Sequence, residues 1–289
     1  MKILYITDHR KSYQCAGFIN DYLNDLLFYG LTELDDVEVV SSTPIIHLYR
    51  PLQKHIDPKI LWGNGFSASF LLNDPPPAID TSINQKIHDR YFDYIVYGSV
   101  YRCLDGYEEI SQIYHKSRII LIDGEDHTNI HPLSEYHRYF KRELLDSYSG
   151  IIPIHFAIPS QKISSNSLDK IQMLGTVIPG KSSTYIFKDE ASYYNDYNIS
   201  YFGLTQKKAG WDCMRHYEIL ANCCVPLFID IELCPKKIMT NMPKSLLIEA
   251  GQSLTSINKY ASIQKELYDY TIKYLTTKKL AEYVISFWV

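Results

Sequence analysis

The chain has 289 residues, 46% hydrophobic and 21% charged, close to globular averages, which excludes wholesale disorder and a fibrous repeat. Its formal net charge of −4 supplies no global positive field for nucleic acid, so only a local basic groove could hold one. Tyrosine is in excess, 25 against 11 Phe and 3 Trp, giving many aromatic faces with a polar tip that suit wet clefts as well as cores.

The first apolar run, over 3–7, meets Asp8-His9-Arg10-Lys11. It is too short for a signal peptide and lacks a small-residue cleavage site, so it reads as a buried first strand. No apolar run approaches the ~20 residues of a membrane span. A cytoplasmic location, or one peripheral to a membrane, is therefore expected. The six cysteines form no CxxC pair, which predicts free thiols and neither zinc nor a disulfide framework.

Ile19, Leu23, Leu26, Leu27 and Leu31 fall at helical spacing within 18–34. Strands are expected over 37–40 and 94–97, then a short helix over 108–115. A strongly apolar strand over 118–122 ends at Asp123-Gly124-Glu125-Asp126. The spacing predicts a polar-faced helix over 136–145, followed by an apolar run over 150–158. The stretch 64–78, with Pro75-Pro76-Pro77, breaks this rhythm and reads as a surface excursion. After a Ser-, Asn- and Lys-rich linker over 159–169 the pattern restarts. Strands are predicted over 171–174, 199–202 and 225–229, a helix over 212–222, and helices over 245–249 and from 257 onward. Strands that are apolar throughout, alternating with helices, predict an α/β fold with parallel sheets. The expected arrangement is two Rossmann-like domains facing across a cleft, residues 1–160 and 170–289.

Ligands in such sheets bind beyond the carboxyl ends of the strands. The loop after 118–122 brings Glu125, Asp126 and His127 to one rim, and Asp8 follows the first strand. Any of these can serve as a general base toward a hydroxyl; Asp126 is the first choice, and helix or turn capping is the alternative role. Lys141 and Arg142 lie on the predicted helix 136–145, either as a solvated face or as a phosphate site. The densest stretch is Gly203-Leu204-Thr205-Gln206-Lys207-Lys208-Ala209-Gly210-Trp211-Asp212-Cys213-Met214-Arg215-His216-Tyr217-Glu218. Amides at the start of a helix there, with Lys208 nearby, suit a diphosphate. Arg215 and Glu218 share a helix face, which suits a phosphate and a ribose diol, or equally a plain salt bridge.

That stretch, continued by Ile219-Leu220-Ala221-Asn222-Cys223-Cys224-Val225-Pro226-Leu227-Phe228, resembles the donor-binding half of GT-B glycosyltransferases. Asp123-Gly124-Glu125-Asp126, Phe140-Lys141-Arg142-Glu143-Leu144 and Pro153-Ile154-His155-Phe156 are similar to segments of uncharacterised bacterial and viral members of that class. The resemblance implies that Glu218 holds the nucleotide ribose while Arg215 and Lys208 hold the diphosphate. Gly203, Thr205, Lys207, Trp211, Asp212 and His216 would complete the donor site. It departs from the family where Cys224-Val225 precede Pro226 in place of the usual glycine, and no second glutamate of the retaining pattern follows Glu218.

The expected function is thus transfer of a sugar from a nucleotide-sugar co-substrate to a hydroxyl of a glycan, a lipid-linked glycan or another acceptor. No cofactor and no metal are called for, since the Asp-x-Asp metal motif is missing. Three alternatives stand beside it. One is a phage-type DNA-modifying glucosyltransferase, which needs a basic stripe; nucleic acid is otherwise not an expected partner. Another is a non-catalytic nucleotide-sugar-binding protein. The third rests on Gly175-Thr176-Val177-Ile178-Pro179-Gly180-Lys181-Ser182, which spells a P-loop, although two β-branched residues and a proline oppose a phosphate cradle.

Overall fold

The computed structural model describes residues 1–7, 19–165, 169–252 and 257–288. Asp8 lies outside the described residues.

Six strands form the first sheet: β1 (Lys2–Ile6), β2 (Glu38–Ser41), β3 (Tyr94–Tyr97), β4 (Ile119–Asp123), β5 (Arg138–Lys141) and β6 (Ile152–Pro153). Their order is β2-β1-β3-β4-β5-β6, with every neighbouring pair parallel. Both faces are covered, as the unbroken apolar runs require. Ile3, Tyr5, Val96, Ile120, Ile122 and Phe140 enter one core. The alternate residues Leu4, Ile6, Ile95, Tyr97, Ile119, Leu121 and Tyr139 enter the other. Three further strands, β7 (Gln172–Leu174), β8 (Ser200–Thr205) and β9 (Val225–Phe228), make a second parallel sheet.

The helices are α1 (Tyr22–Thr32), α2 (Ile83–His88), α3 (Tyr107–Ile113), α4 (Glu190–Asn198), α5 (Met214–Ala221), α6 (Lys244–Gln252), α7 (Ile257–Tyr274) and α8 (Thr277–Ile285). The last of these returns to the first sheet. Gly30 of α1 lies so close to α8 that an added Cβ would sit 2.2 Å from the Thr277 carbonyl oxygen. Tyr94 and Arg138 donate to the Trp288 carbonyl at 2.7 and 2.9 Å, and the Tyr283 hydroxyl donates to Pro153 at 2.8 Å. The chain's end therefore packs with its beginning, although the second sheet separates them in sequence. In a solvated helix, Gly→Ala gains about 1 kcal/mol. Gly30→Ala is expected instead to cost about 1–3 kcal/mol, because two backbones must part to admit the methyl group. Urea unfolding checks this, and a variant as stable as the parent contradicts it.

Two predicted elements are corrected. Residues 138–141 form a strand, not part of a helix: Arg138 pairs with Ile120 and Lys141 with Asp123 along β4. The buried Lys141 ammonium meets the Asp123 carboxylate at 2.8 Å, so a residue that looked like a helix surface is an interior ion-pair partner. The stretch 64–78 is exposed at Pro75 and Pro77 but buried earlier, at Gly65, Ser67, Ala68, Ser69 and Leu71. Left-handed backbone at Gly63, Asn64, Gly65, Ser67 and Phe70 folds it inward.

Candidate functional site

A cavity of about 710 Å³ opens beyond the carboxyl ends of both sheets, within the ~300–1,000 Å³ usual for small-molecule sites. The first sheet contributes Gly124, Glu125 and Asp126 after β4, Arg142 after β5 and Phe156 after β6. The second contributes Val177 after β7 and Lys208, Gly210 and Asp212 after β8, with Cys213, Arg215 and Glu218 from the start of α5. Tyr22, Trp62, Phe66, Tyr185, Phe187 and Tyr193 supply aromatic walls.

Both rims carry charged side chains of either sign. On the first, Arg102 bridges Asp21 and Glu125, each at 2.9 Å, and Asp126 pairs with Arg142. On the second, Arg215 is 8% exposed. Its Nη2 donates to the Tyr185 hydroxyl at 2.8 Å, while Nε and Nη1 have no hydrogen-bond partner. A buried guanidinium with unspent donors is costly unless an anion completes it. Lys208 stands exposed on the same rim, over the Tyr185 ring at 5.8 Å.

Glu218 lies one turn deeper. Ser67 and Tyr193 hydroxyls donate to its two carboxylate oxygens at 2.6 and 2.7 Å. The backbone amide of Ser67 donates to Glu190 at 2.6 Å, so the inward-folded 64–78 stretch is tied to α4 and α5 together. Arg215 makes no ion pair with Glu218, and the salt-bridge alternative for these two falls away. Burial pushes the Glu218 carboxyl above its ordinary 4.5, against the lowering effect of the Ser67 and Tyr193 hydrogen bonds. The folded state thus holds this proton more tightly than the unfolded chain does. The resulting stability is fully present below the ordinary carboxylate range and is lost as pH rises through the folded-state value. Glu218→Gln is therefore expected to raise Tm near pH ~7 more than near pH ~4. An equal change at both would contradict this.

Of the predicted residues, Glu125, Asp126, Lys208, Asp212, Arg215 and Glu218 come together around the cavity with Arg142. Arg142 is not a vacant phosphate ligand. It donates to Gly124 (2.9 Å), Glu143 (2.9 Å), the Asp212 carbonyl (2.5 Å) and Asp126, which occupies four of its five N–H groups. Lys141 is buried against Asp123, away from the cavity. Asp212 does not cap α5; Cys213 holds that position, and the Asp212 carboxylate accepts from the Phe156 amide (2.7 Å) and the Tyr217 hydroxyl (3.1 Å). Gly203, Thr205, Lys207, Trp211, His216 and His127 do not line the cavity. A Cβ on Gly203 would sit 2.8 Å from Ile219, so this glycine lets α5 pack on β8. Thr205 bonds His216 at 2.9 Å behind the helix start, Lys207 lies over Trp211, and His127 packs edge-on to Tyr101.

Ser67, Tyr22, Phe66, Glu143 and Arg102 escaped sequence reasoning. The prolines Pro75-Pro76-Pro77 marked the excursion over 64–78 but not the inward-facing Phe66 and Ser67 at its start; the Gly63-Asn64-Gly65 turn is the signal that could have pointed to them. Four amides of the P-loop-like segment are engaged: Gly175 donates to Phe202, Thr176 to Asp196, Ile178 to Thr184 and Lys181 to Ile178. A short 3-10 turn over Ser182–Thr184 follows it, so neither a nest nor the expected helix is present.

No protein-family model matches the chain, and none of the curated proteins is similar to it. The described residues hold no helix long and apolar enough to cross a membrane, and no group of three or more His, Cys, Asp or Glu placed to hold a metal ion.

Proposed function

We propose that the chain is a glycosyltransferase of GT-B-like, two-domain architecture, moving a sugar from a nucleotide-sugar donor to an acceptor hydroxyl. The observation that carries this reading is the buried, incompletely bonded Arg215 guanidinium at the second rim. Arg215 and Lys208 would bind the diphosphate, which gains negative charge as it departs. Glu218 retains lone pairs beyond the two bonds it already accepts, and these can take a ribose diol. The aromatic walls offer stacking faces for a base or sugar.

In the transfer, the acceptor oxygen attacks the anomeric carbon and the bond from that carbon to the diphosphate oxygen breaks. The hydroxyl proton passes to a carboxylate of the first rim. We assign this role to Asp126, supported by its side chain being 55% exposed at the cavity, with one oxygen held by Arg142. Donor turnover with and without simple glycoside acceptors tests the reading. Asp126→Asn should abolish transfer while donor binding persists; undiminished transfer would remove Asp126 from the role.

One observation favours the non-catalytic alternative. All three carboxylates of the first rim are already ion-paired, which suits a binding protein that keeps its pocket closed to proton transfer. Donor binding without turnover under any acceptor would select it.

A further inference from the structure

Cys213 lines the cavity, half-buried, at the position that caps the N-terminus of α5. Two residues further on stands Arg215, which lines the same cavity; it is 8% exposed, and its buried Nε and Nη1 have no hydrogen-bond partner. A nucleophile and an anion receptor thus share one wall. We propose that Cys213 and Arg215 together form a modification site for anionic thiol-reactive molecules, with carboxylate-bearing low-molecular-weight disulfides as the natural class, and that the attached group occupies the cavity.

Burial alone would push the Cys213 thiol up. His216 and the Arg215 guanidinium outweigh burial and hold it below its ordinary value. His216 is correspondingly raised by Cys213 despite its own burial. The two ring nitrogens of His216 meet Thr205 Oγ1 and the Trp211 carbonyl oxygen, both able to accept, so the ring can keep two protons beside a thiolate. The other described cysteines with a shifted thiol move the opposite way: burial raises Cys223 and Cys224, and Cys234 is pushed up to about 11.

In the reaction, the Cys213 thiolate attacks one sulfur of the disulfide. A new S–S bond forms, the old one breaks, and the second half leaves as a thiolate that takes a proton from water. Arg215 would hold the carboxylate of the incoming molecule. The site does not depend on the identity of any sugar donor.

Parallel labelling with iodoacetate and iodoacetamide tests the proposal, because the two transfer similar groups but differ in charge. Peptide mapping should find Cys213 alkylated first, with an iodoacetate-to-iodoacetamide rate ratio several-fold higher in the native protein than in urea. Arg215→Gln should bring the native ratio down to the unfolded value. Incubation with oxidised glutathione should add one glutathionyl group at Cys213. Cys213 reacting no faster than Cys234, or a ratio equal in native and unfolded protein, overturns the proposal even if the Arg215 variant does not fold.

Discussion

Replacing Arg142 with alanine is expected to lower the unfolding free energy by about 3–5 kcal/mol, the cost of breaking a buried ion pair from one side. This guanidinium is 2% exposed in its side chain and binds Gly124 and Asp126 of one sheet's rim. Through Glu143 and the Asp212 carbonyl it also holds the loop that leads into α5. Its removal strands the Glu143 carboxylate, which is 2% exposed and accepts the Trp211 and Asp212 amides at 3.0 Å each. Gly210 belongs to the same staple, since a Cβ there would press to 2.6 Å from Glu143 Oε1. The midpoint in urea should fall with the slope unchanged. A loss under about 1 kcal/mol would mean that the two rims are held by packing alone.

The second large effect is expected at Arg215, with opposite signs in stability and binding. Arg215→Ala removes a buried charge that the protein's own groups leave partly unsatisfied, so the free protein should be as stable as the parent or more so. Donor affinity should fall by about 2–5 kcal/mol, the cost of removing one partner of a buried, hydrogen-bonded charge pair. That is a weakening of roughly thirtyfold to several thousandfold in Kd. Equal losses in stability and affinity would instead mark Arg215 as a structural residue. The contrast between the two arginines is instructive: Arg142 is nearly saturated by protein partners, whereas Arg215 is not.

Local pattern carried much of the fold. The apolar runs that became β1, β3 and β4, the helical spacing of α1, and the strand–loop–helix order around β8 and α5 were all legible, because each is dictated by nearest neighbours. Residues 138–141 were not. Arg-Tyr-Phe-Lys fits a strand or a helix equally well; in the strand it forms, Asp123 neutralises Lys141 across the sheet. Of the donor stretch, Arg215 and Glu218 line the cavity and Lys208 stands on its rim. Gly203 and His216 look alike in sequence to site residues yet serve packing and the helix start. Ser67 could not be found at all from its neighbours, since its contact with Glu218 spans 151 positions. Tyrosine splits the same way. Tyr22, Tyr185 and Tyr193 line the cavity, whereas Tyr94 and Tyr97 spend their hydroxyls on the Trp288 and Asp105 carbonyls within the packing of the first sheet.

The proposed transfer requires that the second rim receive a diphosphate. Calorimetric titration with nucleoside diphosphates and with the matching nucleosides tests it most directly, on the parent protein and on Arg215→Ala. At least one diphosphate should bind much more tightly than its nucleoside, and Arg215→Ala should erase most of the difference. Equal binding of diphosphate and nucleoside, or a diphosphate preference untouched by Arg215→Ala, would contradict it.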